Sequence, residues 1–494
     1  MSLPHSGATV PPDPRRWLSL VILLIANFMN LIDVTIVNVA LPSMRENLGA
    51  TDAQIEWVVA AYVLAFALGL LPFGRLGDIV GRTRMFLLGV TAFTLASALC
   101  GMAHSIDMLI AARILQGLGG AMMTPQVLAI ATVTFPPQER GQAFSLFGLS
   151  AGLASVCGPV LGGILIDAQL FGLDWQPIFL VNIPIGIAAL VAGWFLIPRL
   201  PDHKELSNDF VGIGLFGLGI VAVVFPIIEG RALDWPMWSF GMMAAGVVLL
   251  GVFVFWQRQR ASAGKPQLLN YDLLANRDYM FGAFVVTVFA SGIPGLFMVI
   301  SLLLQSGFGF TPLQSGLTNL PFSVGVLIAS FIAGRFGSHY LRSRLAVAGG
   351  MIAGGTGWLH FVIAGTGASI DPMSFLLPLL ISGIGLGTGF SALFQLVLRN
   401  VPPRDAGAGS GALQAFQQVG GALGIALVGQ IFFSQLSGNF AAGNSPQAAF
   451  GDAAALAMWY QVVSFGLVLA LAFAFKGNGR QPQGNSAPPI PVEA

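Results

Sequence analysis

Charged residues are scarce in this sequence. They make up 9% of its 494 residues, whereas a typical soluble domain is about 25% charged. A soluble protein of this length needs more charge to hydrate its surface, so a soluble globular fold is excluded. Apolar residue types make up 55% of the chain and the mean hydropathy is +0.80. These values indicate that lipid rather than water surrounds most of the folded chain.

Cysteine, histidine and nucleotide-binding motifs are also rare or missing. The two cysteines, Cys100 and Cys157, lie in apolar runs, so we expect packing residues rather than a disulfide framework. The five histidines are scattered in the sequence, which has no metal-ligand pattern and no phosphate-binding loop. We therefore predict no enzymatic activity, no cofactor, no bound metal and no ATP drive. The net charge of +1 gives no indication of a nucleic-acid partner.

Long apolar runs dominate the rest of the sequence. A membrane-spanning helix needs about 20 mostly apolar residues. Fourteen runs meet this condition and predict an all-α polytopic membrane protein. The predicted spans are roughly 17–40, 55–74, 85–104, 108–131, 141–165, 177–198, 210–229, 237–257, 279–304, 314–334, 345–366, 373–397, 406–432 and 454–475. The polar segments 1–16 and 477–494 are predicted to be tails.

The basic residues are distributed unevenly around these spans. If both tails face the cytoplasm, nearly all of the 22 Lys and Arg residues fall on the cytoplasmic side. The exceptions are Arg45, Arg231 and the intramembrane Arg113. This distribution agrees with the positive-inside rule. It favours an even number of spans with both termini in the cytoplasm.

A sequence repeat divides the chain into two halves. Residues 74–84 read GRLGDIVGRTR and residues 334–344 read GRFGSHYLRSR, an offset of 260 positions (334 − 74). The first copy follows the second predicted span and the second copy follows the tenth. We therefore predict a six-helix bundle at 17–200, an extra two-helix insert at 201–265 and a second six-helix bundle at 266–476. Parallel repeats of this kind are typical of transporters whose halves rock about a central site.

The loop at residues 74–84 is predicted to act as a conformational latch. Gly74 and Gly81 allow a tight turn and a close approach of helices. Asp78 is expected to pair with an arginine or to cap a helix, and Arg82 and Arg84 supply positive charge beside it. Such a cluster would hold one conformation and release it when the halves move. The alternative is an ordinary basic cytoplasmic loop.

Two charged residues lie well inside predicted spans, away from the span ends. Asp33 is in the first span, where an acid costs roughly 2.5–3.5 kcal/mol to insert, and it shares a helix face with Asn27 and Asn30. Arg113 is in the fourth span, and both residues lie about 10 Å below the outer surface at 1.5 Å per residue. We predict that they interact, directly or through water, and that this contact couples protonation of Asp33 to conformation. The alternatives are a structural hydrogen-bonding acid and a structural arginine.

Other polar and aromatic residues of the spans are predicted to line a substrate cavity. The predicted cavity residues are Asn27, Asn30, Trp57, Tyr62, Gln116, Gln395, Gln414, Gln417 and Gln418. Hydrogen bonding between helices is the alternative for the amides, and anchoring at the membrane interface is the alternative for the aromatic residues. Glu56 and Glu229 lie near the ends of their spans, where an acid is expected to cost little.

Several motifs resemble those of a known transporter family. The loop at 74–84 resembles the signature loop of the major facilitator superfamily. Residues 31–42, LIDVTIVNVALP, are similar to the first-helix motif of its fourteen-span drug:proton antiporters, the EmrB/QacA type. Residues 113–120, RILQGLGG, resemble the fourth-helix motif of the superfamily. In the fifth predicted span, a glycine- and proline-rich pattern resembles the fifth-helix antiporter motif of the superfamily. Its residues are Gly152, Gly158, Pro159, Gly162 and Gly163.

This resemblance implies the major facilitator fold and proton-coupled efflux of small amphipathic or drug-like compounds by alternating access. The direction of exchange comes from the resemblance alone. A solute importer and a dedicated metabolite exporter on the same fold are the alternatives. The resemblance also implies the cytoplasmic (inner) membrane of a bacterium, where relatives often work with a periplasmic adaptor and an outer-membrane channel. The predicted C-terminal spans contain no acid, which argues against dicationic substrates.

Overall fold

The computed structural model describes residues 14–198, 209–336, 340–367, 369–399, 401 and 406–475. These residues form seventeen α-helices, so the all-helical fold predicted from the sequence is confirmed. The helices are α1 (Arg16–Leu48), α2 (Asp52–Val80), α3 (Arg82–Gly101), α4 (Ile106–Thr134), α5 (Pro137–Asp167), α6 (Pro177–Leu180), α7 (Asn182–Leu196), α8 (Phe210–Ala232), α9 (Met237–Ser262), α10 (Tyr271–Ala275), α11 (Arg277–Ser291), α12 (Pro294–Leu302), α13 (Pro312–Phe336), α14 (Leu341–Ala364), α15 (Leu376–Leu398), α16 (Ala406–Ala441) and α17 (Pro446–Ala472).

Most of these helices are long and apolar enough to cross a membrane. Among the described residues, twelve helical segments meet this condition, and the chain is a multi-pass membrane protein. Two further helices, α5 and α13, occupy the positions of the fifth and tenth predicted spans. The count of fourteen spans remains a prediction. The sixth predicted span is formed by α6 and α7 together, and the ninth by α11, α12 and the π-helical turn Leu303–Gly307.

Local sequence signals account for several helix ends. Thr51 caps α2 and forms a reciprocal capping box with Gln54, and the Ser105 side chain accepts a hydrogen bond from the backbone of Met108 at the start of α4. Gly49 ends α1 in the left-handed conformation, with φ of +61°. These caps satisfy backbone groups that a helix end leaves unpaired.

Many of the extensive helix contacts join helices of the same predicted bundle, and the division into two six-helix bundles and an insert remains a prediction. In the first bundle α4 packs on α2 and α3, and α5 packs on α1; in the second, α15 packs on α13 and α14, and α17 packs on α14. The extra helices α8 and α9 pack on each other, and α8 also contacts both α2 and α16. Since α2 and α16 belong to different halves, α8 covers one seam between them. Much of α9 is exposed, including Val247 and Phe255, as expected of a lipid-facing helix.

The two halves contact each other closely at one end of the molecule. We call the end that carries residues 74–84 the loop end, and the other the opposite end. At the opposite end, the Gln305 side chain donates a hydrogen bond of 2.9 Å to the carbonyl of Val39. There too, a Cβ on Gly163 of α5 would clash with the backbone of Leu313 of α13. At the loop end, a cavity of about 750 Å³ lies between α2, α4 and α16.

Glycine allows α13 and α15 to cross at very short distance, and this gives a testable expectation. A Cβ on Gly383 would overlap the carbonyl oxygen of Phe322, whereas a Cβ on Gly354 of α14 would meet nothing within 4 Å. We expect Gly383→Ala to lower stability by about 2–3 kcal/mol through overpacking. Gly354→Ala is the matched control and is expected to keep or raise stability, because alanine favours helices.

Thermal unfolding of the two purified variants in detergent measures this difference. The expected result is a lower unfolding midpoint for Gly383→Ala only. Equal midpoints for the two variants would show that the α13–α15 crossing is looser than described here.

Candidate functional site

A buried ion pair lies at the centre of the first bundle. Asp33 of α1 and Arg113 of α4 are both 0% exposed, and Arg113 Nη1 lies 2.5 Å from Asp33 Oδ2. The other carboxylate oxygen, Oδ1, accepts hydrogen bonds from Gln116 Nε2 at 2.7 Å and from Asn182 Nδ2 at 3.3 Å. Residues from α1, α4 and α7 thus surround one carboxylate. The structure brings Asp33 and Arg113 into direct contact, without the intervening water that was the other predicted arrangement.

The guanidinium of Arg113 is held by further contacts from α2 and α4. Its Nε donates to the carbonyl of Val58 at 3.0 Å, and its Nη1 also donates to Gln116 Oε1 at 2.7 Å. Its central carbon lies 4.1 Å from the ring centroid of Tyr62, a favourable cation–π geometry. Nη2 is buried and has no hydrogen-bond partner among the described residues. A buried donor of this kind is costly, so this conformation leaves the two N–H groups of Nη2 unsatisfied.

The ion pair makes proton uptake and side-chain position interdependent. Burial disfavours the charged form of a carboxyl group, whereas an adjacent cation favours it. If Asp33 were protonated in this geometry, Arg113 would remain charged and buried without its counterion, at a cost of several kcal/mol. Proton uptake therefore favours any conformation in which Arg113 moves to another partner or to water. This is the chemistry by which one site can link a proton to a change of shape.

A series of polar contacts leads from the ion pair toward the cavity at the loop end. The Tyr62 hydroxyl, whose ring lies beside Arg113, donates to Asn30 Oδ1. Asn30 Nδ2 donates to Thr124 Oγ1 at 3.0 Å. Thr124 precedes Pro125, and Pro125 lines the cavity. The predicted residues Tyr62 and Asn30 therefore lie between the ion pair and the cavity.

The turn at residues 74–84 packs against α4. Gly81 joins α2 to α3 with φ of +102°, a conformation that residues with a Cβ rarely adopt. A Cβ on Gly77 would clash with the amide of Gln126, and Arg82 donates to the carbonyl of Ala129 at 3.3 Å. Arg84 is exposed. These contacts fix the turn against α4.

Part of the predicted latch lies outside the described residues. Gly74 lies near Pro125, which a Cβ on Gly74 would approach to 3.5 Å. The side chain of Asp78 is not described, and neither are the surroundings of Gly152 in the antiporter motif. The latching role of the turn thus remains a prediction.

The glycines of the antiporter motif let α5 pack closely against two helices. A Cβ on Gly158 would clash with Thr35, and one on Gly162 would clash with Ile36, both on α1. Gly163 faces α13 of the other half. Pro159 lies inside α5, where it removes one helical hydrogen bond and favours a bend. The motif therefore lies where the helix of the ion-pair carboxylate meets the interface between the halves.

Comparison with known proteins agrees with this architecture. The model of the Major Facilitator Superfamily matches residues 23–212 and 208–425. The chain belongs to the major facilitator superfamily. A bacterial homolog of the human lysosomal transporter Spinster, solved in an inward-facing and unoccupied conformation, has a TM-score of 0.62 over 94% of this chain and 97% of that chain. Its sequence identity of 16% means that this likeness supports the fold alone.

Three relatives of this superfamily member come from Streptomyces species. The chain is 38% identical over 434 residues to the "Probable actinorhodin transporter" of Streptomyces coelicolor, covering 87% of this chain and 75% of the relative. It is 33% identical to the "Puromycin resistance protein pur8" of Streptomyces alboniger, over 86% of this chain and 84% of the relative. It is 30% identical to the "Tetracenomycin C resistance and export protein" of Streptomyces glaucescens, over 90% and 81%.

The remaining predicted cavity residues of this superfamily member are dispersed. On α16, Gln414 lines the cavity at the loop end, and Gln417 and Gln418 are half-buried. Gln395 of α15 is exposed, and Asn27 of α1 is half-buried.

Trp57 has a partner outside the two bundles. Its Nε1 donates to Glu229 of α8 at 2.8 Å, and its ring lies 5.7 Å from that of Phe225. This residue therefore joins the extra helix pair to the first bundle. Its role in binding substrate remains a prediction.

Two residues of this superfamily member were missed as site components. Asn182 and Ser97 both contact the ion-pair network, through the hydrogen bonds of Asn182 and Gln116. Asn182 is a polar residue inside an apolar span, so the argument used for Asp33 applies to it equally, whereas Ser97 carries no such signal.

Glu56 was expected to lie near a helix end, where an acid costs little. Instead it is 1% exposed, and its carboxylate lies against Gly429 of α16.

Proposed function

We propose that this protein is a proton-coupled exporter of small amphipathic compounds and that it works by alternating access. The observation that carries the proposal is the fully buried ion pair, with 2.5 Å between Arg113 Nη1 and Asp33 Oδ2. A membrane protein seldom holds an ionisable pair at such a place without a transport role. We further propose that it belongs to the fourteen-span drug:proton antiporters and lies in a bacterial cytoplasmic membrane with both termini in the cytoplasm.

The names of the relatives support efflux over uptake. Relatives covering most of the chain are named for the transport of actinorhodin, for resistance to puromycin, and for resistance to and export of tetracenomycin C. Another, 31% identical, is a "Multidrug resistance protein B homolog" of Mycobacterium tuberculosis. A dedicated exporter of one metabolite is the second candidate, because several of these relatives are named for a single compound.

The proposed cycle follows from the geometry of the two halves. In the conformation described, the halves meet at the opposite end through Gln305 and Val39, and a cavity lies at the loop end. Substrate enters this cavity from the cytoplasm. Protonation of Asp33 from the outer side weakens its attraction to Arg113, and deprotonation toward the cytoplasm restores the pair. Each conformation is thereby favoured by one protonation state.

Uptake into everted membrane vesicles tests the exchange. In such vesicles the cytoplasmic face is outside, so an exporter that runs on proton antiport accumulates substrate when the lumen is acid. We expect an imposed acid-inside gradient to drive accumulation of a fluorescent amphipathic dye, and dye addition to release protons from the lumen. A pH gradient equivalent to 100 mV supplies about 2.3 kcal/mol per proton moved, enough for about fifty-fold accumulation.

Two controls separate antiport from other transport. Vesicles without the protein give the passive leak of the dye, and an alkaline-inside gradient is expected to give no accumulation. Accumulation under the alkaline-inside gradient alone would identify proton symport, which contradicts the proposal.

A further inference from the structure

The described side chains that line the cavity at the loop end carry charge of one sign. It measures about 750 Å³, and its charged lining residues are Arg75, Arg82 and Lys265, with no carboxylate among the described lining side chains. Arg75 and Arg82 come from the two ends of the 74–84 turn. Lys265 comes from the segment 264–270 that follows the extra helix pair. Positive charges converge on the cavity from two parts of the chain that are far apart in sequence.

The rest of the cavity wall is suited to an apolar body with a few polar groups. Leu70, Leu71 and Leu128 contribute apolar surface, and Gln414 contributes an amide. The volume lies within the range of about 300–1,000 Å³ that is usual for sites of drug-sized ligands. Such a cavity can bury an aromatic or alicyclic body and still leave hydrogen-bonding groups near its edge.

The segment that carries Lys265 is held in place by a buried hydrogen-bond network. Asp209, at the start of α8, is buried and accepts hydrogen bonds from Gln257 Nε2 at 2.7 Å and Trp256 Nε1 at 3.0 Å. Arg260 Nε lies 3.5 Å from Asp209 Oδ2 and donates to the carbonyl of Pro266 at 2.6 Å.

A second bond fixes the far side of the same segment. Leu268 donates its backbone N–H to Gln257 Oε1 at 3.1 Å. The extra helix pair therefore positions segment 264–270 as a fixed wall of the cavity, with Lys265 exposed at its rim.

We propose that this cavity binds amphipathic organic anions and that Lys265 helps to select them. The proposal rests on the proposed function and names its substrate class. In a cavity with low-dielectric walls, charges of one sign focus the field and raise the local concentration of the opposite ion. The apolar wall binds the hydrophobic body, and the cations offset the cost of bringing its acidic group out of water.

An anionic substrate also suits proton antiport energetically. When a monoanion leaves as one proton enters, two charges move down the membrane potential. Two charges raise the limit of accumulation at 100 mV from about fifty-fold to about two-thousandfold. A monocation exchanged for one proton moves no net charge, and the potential then contributes nothing.

Two dyes with one aromatic core and opposite charge test the proposal. Sulforhodamine B carries a net charge of −1 and rhodamine 6G a charge of +1. In everted vesicles energised by respiration, whose lumen is acid and positive, we expect the unaltered protein to accumulate sulforhodamine B, and valinomycin with potassium to reduce that accumulation strongly because it removes the potential. Lys265→Glu is expected to raise the half-saturating concentration of sulforhodamine B about fivefold and to leave or lower that of rhodamine 6G.

A matched variant makes the same change of charge at a position outside the cavity, so it shows whether the location of the charge matters. Arg258→Glu makes the same charge change on the exposed side of α9, seven residues earlier and outside the cavity lining. It is expected to leave both half-saturating concentrations unchanged. The unfolding midpoints of both variants in detergent are expected to match that of the unaltered protein.

Three outcomes would overturn the anion proposal. They are transport of rhodamine 6G without sulforhodamine B, equal effects of Lys265→Glu on both dyes, and equal effects of Lys265→Glu and Arg258→Glu on sulforhodamine B. If proton-driven transport of rhodamine 6G persists in any of these cases, the proposed function stands and only the substrate class is wrong. If neither dye responds to an imposed pH gradient, the proposed function fails as well.

Discussion

Asp33→Asn is expected to abolish proton-driven accumulation while leaving the protein in the membrane. Asparagine has nearly the same size as aspartate and can still accept a hydrogen bond from Gln116 through its carbonyl oxygen, but it cannot bind and release a proton. The accumulation ratio in everted vesicles is expected to fall by about fifty-fold, the factor that one proton supplies at 100 mV. Dye exchange in the absence of any gradient need not fall by this factor, because it requires no proton.

Asp107→Asn is the matched control for this experiment. Asp107 lies in the first turn of α4, the helix of Arg113, but it is exposed and pairs with Gln54 rather than with the buried network. The same chemical change there is expected to leave accumulation intact. Full pH-driven accumulation by Asp33→Asn would remove the carboxyl group from the mechanism.

The two single variants of the ion pair, Asp33→Asn and Arg113→Leu, are expected to lose different amounts of stability. Asp33→Asn leaves the guanidinium of Arg113 buried without a counterion, and a guanidinium does not lose its proton in proteins. Removing one partner of a buried pair costs about 3–5 kcal/mol. Arg113→Leu leaves the carboxyl of Asp33, which can become neutral by taking up a proton. We therefore expect Asp33→Asn to be the more destabilising single change.

The double variant Asp33→Asn/Arg113→Leu completes the cycle. With both charges removed, we expect recovery of at least half of the stability lost in Asp33→Asn, because replacing both members of a buried ion pair is often nearly neutral. Unfolding midpoints of the four proteins in detergent at pH 7 measure the coupling between the two side chains. A loss of stability in the double variant equal to the sum of the two single losses would mean that the pair contributes no coupling energy.

The double variant also protects the transport experiment from a folding artefact. It is expected to be more stable than Asp33→Asn and as inactive in proton-driven accumulation as Asp33→Asn. Recovery of accumulation in the double variant would show that the loss in Asp33→Asn came from instability, and that another group carries the proton.

Much of this site could be predicted from two quantities: the free energy needed to place a charged residue in the membrane, and the depth of each residue along its helix. An acid and a base in separate apolar spans are each expensive alone, and helix rise places Asp33 and Arg113 at similar depth. Gln116 lies three residues after Arg113 on the same helix face, which explains why both reach one carboxylate. The same reasoning applied to Asn182 would have placed it in the network.

Other features depend on packing that no local pattern encodes. Glu56 lies near a helix end in sequence, but α16 packs over it and excludes water. The break between α11 and α12 and the π-helical turn Leu303–Gly307 fall inside one apolar run, so hydropathy alone predicts a single span. The wall formed by segment 264–270 depends on the contacts of Asp209 and Gln257 across the base of the extra pair. Such long-range contacts cannot be inferred from spacing.

The position of α8 restricts how the two halves can move. This helix contacts α2 of one half and α16 of the other, and the bond from Trp57 to Glu229 attaches it to the first. A rigid helix cannot follow two bodies that rotate in opposite directions. If α8 moves together with α2, it must shift along α16 during the cycle. Small or apolar side chains at the α8–α16 contact would allow this shift, because no specific polar bonds would have to break. The extra helix pair would then move with one half and slide against the other, without an independent motion of its own.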